Sequence, residues 1–204
     1  MPPEQRPIPR FVAEPPHDAF PYGRWAEQLA ERFLEACAQI ETEDDDDLGH
    51  PEHIRWFPDR TFEGRTYIPA TAHTAEGFEL YGYVSFTRDD AGEPGEFGAH
   101  ADYTDETADA NPGWKLDLSE EEIGGWKGPR NLSGNVALVW GVALVTGGAL
   151  ATAELGPTTT DQCEVAEDRF TLVSLDAWTG DDLEVLLWGA KGDELARESL
   201  YEED

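Results

Sequence analysis

The stretch Phe78-Glu79-Leu80-Tyr81-Gly82-Tyr83-Val84-Ser85-Phe86-Thr87 decides the fold. Phe78, Leu80, Gly82, Val84 and Phe86 alternate with Glu79, Tyr81, Tyr83, Ser85 and Thr87, the period of two that places successive side chains on opposite faces of a strand. The same reading predicts further strands at 65–73, 96–103, 114–118, 136–145, 149–155, 162–167, 169–176, 182–189 and 194–201. Turn signals separate most of them: Glu76-Gly77, Asp89 to Gly92, Asn111-Pro112-Gly113, Gly147-Gly148, Asp168-Arg169, Gly180-Asp181-Asp182 and Lys191-Gly192-Asp193. About ten short strands joined by short turns make the region 60–204 a mainly β, antiparallel sandwich or barrel-like fold.

Towards the N-terminus the period changes. From Arg24 to Glu41 the apolar residues Trp25, Leu29, Phe33, Cys37 and Ile40 recur at helical spacing, with Glu27, Glu31, Arg32 and Glu35 turned away. This predicts one amphipathic helix over 24–41, packed across the sheet. Burying each large side chain is worth roughly 1.5–3 kcal/mol against a few tenths for the Glu27/Glu31 repulsion, so packing must hold the helix in place. The five acids from Glu43 to Asp47 oppose the macrodipole at a helix C-terminus, so the helix is expected to stop near Ile40 or Glu41 and an acidic linker to follow over 42–53. Residues 1–23 are proline-rich and read as an extended arm, leaving 24–204 as a single globular domain.

The segment from Asn131 to Ala153 carries no charge and follows Lys127 and Arg130, as a membrane span would. Asn135, Thr146, Gly147, Gly148 and Thr152 interrupt it, however, and its Val-rich stretch from Val136 to Val145 reads as a buried strand. No secretory leader is read at Met1 to Arg6, which makes a cytoplasmic location the default expectation. Cys37 and Cys163 lack disulfide-scaffold or metal-type spacing and are expected to be free, buried thiols.

In the last third, Leu138-Val139-Trp140-Gly141 echoes Leu186-Leu187-Trp188-Gly189, and Leu150-Ala151 with Leu155 echoes Leu195-Ala196 with Leu200. A true repeat would make 138–155 and 186–200 two hairpins in related places; apolar strands also converge on such patterns by chance.

Charge restricts the function classes. Forty-four carboxylates against fourteen Lys and Arg give a formal charge of −30, which repels phosphate backbones and anionic lipid surfaces. Direct nucleic-acid binding and membrane attachment are therefore not expected. A basic protein partner or divalent cations are favoured, and a composition adapted to salt explains the same charge. No phosphate-binding glycine loop, dinucleotide fingerprint, HExxH or GxSxG is present, and no catalytic residue is assigned.

His50 and His53 form a close pair around Pro51 and read as loop residues. His73 and His100 fall on strands, where they can meet carboxylates of neighbouring strands and offer a general base. Asp102, Asp105, Glu106 and Asp109, followed by Asn111-Pro112-Gly113, form the candidate metal site: in a loop their oxygens could converge on Ca²⁺ or Mg²⁺. From Asp89 to Asp109 there is no Lys or Arg, so a solvated negative face is the competing explanation. Trp25, Trp140 and Trp188 fall on faces expected to be buried, whereas Trp56, Trp114, Trp126 and Trp178 are open to a sugar-stacking role. The leading expectation is a non-enzymatic acidic binding or regulatory domain that docks a basic protein. The alternative is a divalent-metal-assisted or carbohydrate-active protein using 102–109 and nearby tryptophans. No signature of an oligomeric state is present in the sequence.

Overall fold

The apolar stripe and the alternating segments become one helix and thirteen strands in a computed structural model that describes residues 20–42, 47–128, 131–178 and 180–200. The predicted arm therefore lies outside the described residues up to position 19, as does most of the acidic run, at 43–46. In chain order the elements are α1 (Gly23–Cys37), β1 (Pro51–Trp56), β2 (Arg60–Phe62), β3 (Arg65–Thr74), β4 (Glu79–Arg88), β5 (Pro94–Thr104) and β6 (Leu116–Lys127). They continue with β7 (Ser133–Ala143), β8 (Gly148–Leu155), β9 (Thr158–Glu164), β10 (Arg169–Leu175), β11 (Ala177–Trp178), β12 (Asp181–Gly189) and β13 (Glu194–Ser199). All strand pairings are antiparallel, as the alternation predicts.

Helix α1 has no side-chain cap at Tyr22, no acid in its first turn and no base in its last. Its stability thus comes from the buried stripe rather than from its ends. Leu29 and Phe33 are fully buried, and Phe33 meets the Trp56 ring edge-on at 6.3 Å while Trp25 meets Phe86 at 5.4 Å. The helix stops at Cys37, a turn short of the expected Ile40, and a tight turn from Ile40 N–H to the Cys37 carbonyl closes it ahead of the acids.

The first sheet has the order β1-β3-β4-β5, with β2 also paired to β3. Its β1 corrects the sequence reading, in which 42–53 is linker and His53 a loop residue, and β2 adds a short strand ahead of the expected 65–73. Pro51 opens β1 and His53 lies within it, because an irregular register between Pro51 and Ile54 accommodates the proline at a strand end on the sheet margin. The second sheet has the order β10-β7-β6, and β6 runs nine residues past the expected Leu118, through Glu120, Glu121 and Glu122, because β7 supplies a partner along its length. The third has the order β11-β12-β8-β9, with β13 on β12. The uncharged segment at 131–153 forms β7 and β8, as its valines predict, and no helix among the described residues is long and apolar enough to cross a membrane.

The two similar segments do not form equivalent hairpins. β12 and β13 pair directly, whereas β7 pairs with β6 and β10 while β8 pairs with β12 and β9. The Ala143 and Leu144 N–H groups are taken by the Asp168 and Lys115 carbonyls, so the chain leaves the second sheet at that point instead of folding back.

Two cores result. One lies between α1 and the first sheet, holding Leu29, Phe33, Ile68, Val84 and Phe86. The other joins the opposite face of that sheet to the second and third sheets, with Trp140, Phe170, Leu172 and Leu187 fully buried. The first sheet is consequently covered on both faces, and a buried arginine ties it to the rest. Arg60 Nε donates to the Thr171 carbonyl at 2.9 Å and Nη2 to the Gln162 carbonyl at 2.6 Å, with Asp161 Oδ2 at 3.7 Å.

Candidate functional site

The ladder registers set the chemistry of the seam between the first and second sheets. Thr71, Tyr81 and Asp102 stand opposite one another across β3, β4 and β5; His73, Glu79 and Thr104 do the same one same-face step away on one side, and Tyr67, Ser85 and Gly98 two steps away on the other. This face of the sheet meets β6 and β7, where Tyr81 lies 6.4 Å from Trp140. Glu79 is buried at 4% exposure, and desolvation, with Asp117 adding repulsion and Arg55 opposing it, pushes its carboxyl up to about 7. His73 Nε2 is 3.1 Å from Glu79 Oε2, close enough for charge attraction but not aligned as a hydrogen bond, since Oε2 has no hydrogen-bond partner. Burial likewise raises Asp117, whose charge is favoured by Arg55 and His73.

Further along the seam, His100 Nε2 and Glu121 Oε1 are 2.8 Å apart, linking β5 to β6. Burial raises Glu121 and the coulombic and hydrogen-bonding effects of His100 lower it. Tyr81 is pushed up to about 12 by burial and by Asp102, Glu121 and Glu120, so all four effects keep the phenol protonated. His73 and His100 therefore do meet carboxylates across strands, as their placement in the sequence predicts. Glu79 was not legible as a buried acid. The signal for it was the pair of tyrosines sharing its phase in β4, which mark that phase as covered too.

The cysteines are free: Cys163 is buried and Cys37 half-buried, with desolvation pushing Cys37 up to about 12 and raising Cys163. Neither is an activated thiolate.

β5 ends the first sheet, and beside it α1 forms the wall of a groove of about 490 Å³. Its ionisable lining is Arg32, Glu35, Glu41, His100 and Asp102. Arg32 is occupied in part by the Phe97 ring, its guanidinium carbon lying 4.0 Å from the centroid.

Of the expected metal ligands, Asp102 is on β5, while Asp105, Glu106 and Asp109 follow in the connection to β6; all four are exposed. Asp102 Oδ1 accepts the Tyr103 N–H, and the Glu106 N–H donates to Thr104 Oγ1. Among the described residues no three His, Cys, Asp or Glu side chains gather as a metal ion requires. Of the seven tryptophans, none is exposed: Trp56, Trp140 and Trp178 are buried, Trp25, Trp114, Trp126 and Trp188 partly so. Trp126 and Trp178 pack edge to face at 5.4 Å, so each is in part occupied by the other. His50 is exposed ahead of β1, and His53 is exposed on it.

No family model matches this chain, and neither the curated proteins nor the solved structures provide a match.

Proposed function

We propose that the protein is a non-enzymatic binding or regulatory domain that docks a basic protein partner through an acidic face centred on β5. One observation carries this reading: Asp89, Asp90, Glu93, Glu96, Asp102, Asp105, Glu106 and Asp109 are all exposed, in a stretch with no Lys or Arg. The two arginines nearest in the sheet bond a hydroxyl and backbone carbonyls rather than these carboxylates. Arg65 Nη1 donates to Ser85 Oγ and to the Glu96 carbonyl, and Arg88 Nη1 donates to the Gly92 carbonyl. The net charge of −30 gives the whole molecule a field that steers a cationic partner, and the eight exposed acids concentrate negative charge on this face.

The test is a titration of the intact protein with a fluorescent decapeptide alternating Lys and Val, followed by anisotropy at about 150 mM NaCl, where the Debye length is ~8 Å. A saturable one-to-one complex is expected, with affinity falling as salt rises. Binding that never saturates, or none at that ionic strength, would remove the proposal. The metal-assisted or carbohydrate-active alternative gains no support from the separate exposed acids, and no tryptophan is fully exposed.

A further inference from the structure

The acidic face includes the edge strand β5, whose outer side pairs with no strand among the described residues. Edge strands are usually blunted by Lys, Pro, a bulge or a covering element, because an open row of N–H and C=O groups pairs with any extended chain. β5 has a bulge only at its start: Ser85 stands opposite Gly98 and Thr87 opposite Gly95, so one extra residue is inserted there, with Glu96 at φ 47°. From Gly98 to Thr104 the pairing with β4 is regular, and this stretch contains no Lys and no Pro. Gly98, Ala99 and Ala101 put little side chain over the backbone, and Gly98, Ala99 and His100 are exposed.

The direction of the open groups follows from two contacts. The His100 carbonyl turns towards β4, where it would stand 2.1 Å from a Cβ at Gly82. The Tyr103 N–H turns to the Asp102 carboxylate instead of to β4. Alternate residues of a ladder present their N–H and C=O to opposite edges, so Ala99 and Ala101 direct theirs outwards with Tyr103. Beside this edge, three carboxylates against one guanidinium line the α1 groove, and Asp105, Glu106 and Asp109 continue the negative potential past the end of the strand.

Resting on the docking reading above, we infer that the partner's contact segment is an extended basic chain, which adds as a further strand to the outer edge of β5 at Ala99–Tyr103. Its Lys or Arg side chains lie along Glu35, Glu41 and Asp102. Backbone bonds supply the pairing and alternate side chains supply selectivity, as in strand addition generally. Charge complementarity singles out this occupant over a second copy of the chain, because two such edges would bring like charges together.

Two modified forms of the Lys-Val decapeptide test this, N-methylated at odd or at even residues so that each has lost the donors of one strand edge. One of the two is expected to bind at least about tenfold more weakly than the parent and the other nearly normally. A Glu35→Lys/Asp102→Lys variant should weaken the parent peptide by about tenfold or more, whereas Asp182→Lys, at an exposed position on β12, should change it less than about twofold. Circular dichroism establishes that both variants are folded. If the parent peptide binds one-to-one but is indifferent to methylation and to Glu35→Lys/Asp102→Lys, the edge site is wrong and the docking reading stands. If it does not bind at all, both fall. Sedimentation showing self-association that Asp102→Lys alters would replace the basic segment by a second copy.

Discussion

Replacing Glu79 by Gln isolates the energetic consequence of the seam. Glu79 is 4% exposed and titrates near 7 in the fold, against 4.5 for an unperturbed glutamate. Its folded-state value is raised, so between those two values the folded protein holds a proton that the unfolded chain releases. Stability therefore falls as pH rises from about 4.5 to about 7, and the loss persists above 7. At 1.36 kcal/mol per pH unit, a displacement of this size corresponds to on the order of 3 kcal/mol. Gln keeps the shape and cannot ionise, so Glu79→Gln is expected to be about neutral near pH 4.5 and to stabilise the protein by about 1–3 kcal/mol at pH 8. Asp117, Glu121 and Asp161 are raised by burial too, so the variant keeps a reduced slope of the same sign. Urea unfolding of both proteins at pH 4.5, 6 and 8 measures the effect. If Glu79→Gln is destabilising at pH 8, or leaves the pH slope unchanged, Glu79 is not the buried acid described above.

Other perturbations test separate parts of the fold. Phe33→Ala removes a fully buried ring from the core under α1 and should cost about 3–5 kcal/mol in denaturant titration; a loss below about 1 kcal/mol would make the helix peripheral. Arg60→Ala strands the Asp161 carboxylate and the Thr171 and Gln162 carbonyls, and should lower stability by about 3–5 kcal/mol at pH 7, with part of that loss recovered in Arg60→Ala/Asp161→Asn. With a charge of −30, the melting temperature is expected to rise between dilute buffer and ~1 M NaCl, where the Debye length shrinks to ~3 Å; no rise would mean that self-repulsion is negligible. For Asp102, Asp105, Glu106 and Asp109, calorimetry with Ca²⁺ or Mg²⁺ at matched ionic strength should show no saturable site, and saturable binding lost in Asp105→Asn/Glu106→Gln would restore one.

What the sequence disclosed follows from how local each signal is. The stripe Trp25, Leu29, Phe33 and Cys37 and the alternation through β4 are properties of neighbouring residues, so both elements appear where the periodicity puts them. β1 was missed because Pro51 and two exposed residues after it carry no alternation, and its pairing is supplied by β3, more than ten residues further on. β6 was cut short because three successive glutamates and Gly124-Gly125 read as a break, yet β7 holds them in a ladder. The resemblance between 138–155 and 186–200 was a likeness of apolar content, and the connection after Ala143 shows how little such content says about which strands pair. The acidic face was legible as composition, whereas the open edge of β5 was not, because openness depends on which strand ends the sheet.

Amide hydrogen exchange across β5, with and without the alternating Lys-Val peptide, tests the central claim most directly. In the free protein the outward N–H groups of Ala99 and Ala101 should exchange fast while that of His100, bonded towards β4, is protected. At saturation Ala99 and Ala101 should slow by at least about tenfold, with the third sheet unchanged. Protection that is already complete in the free protein, or that appears in the third sheet while Ala99 and Ala101 stay fast, would contradict a basic strand docking on this edge.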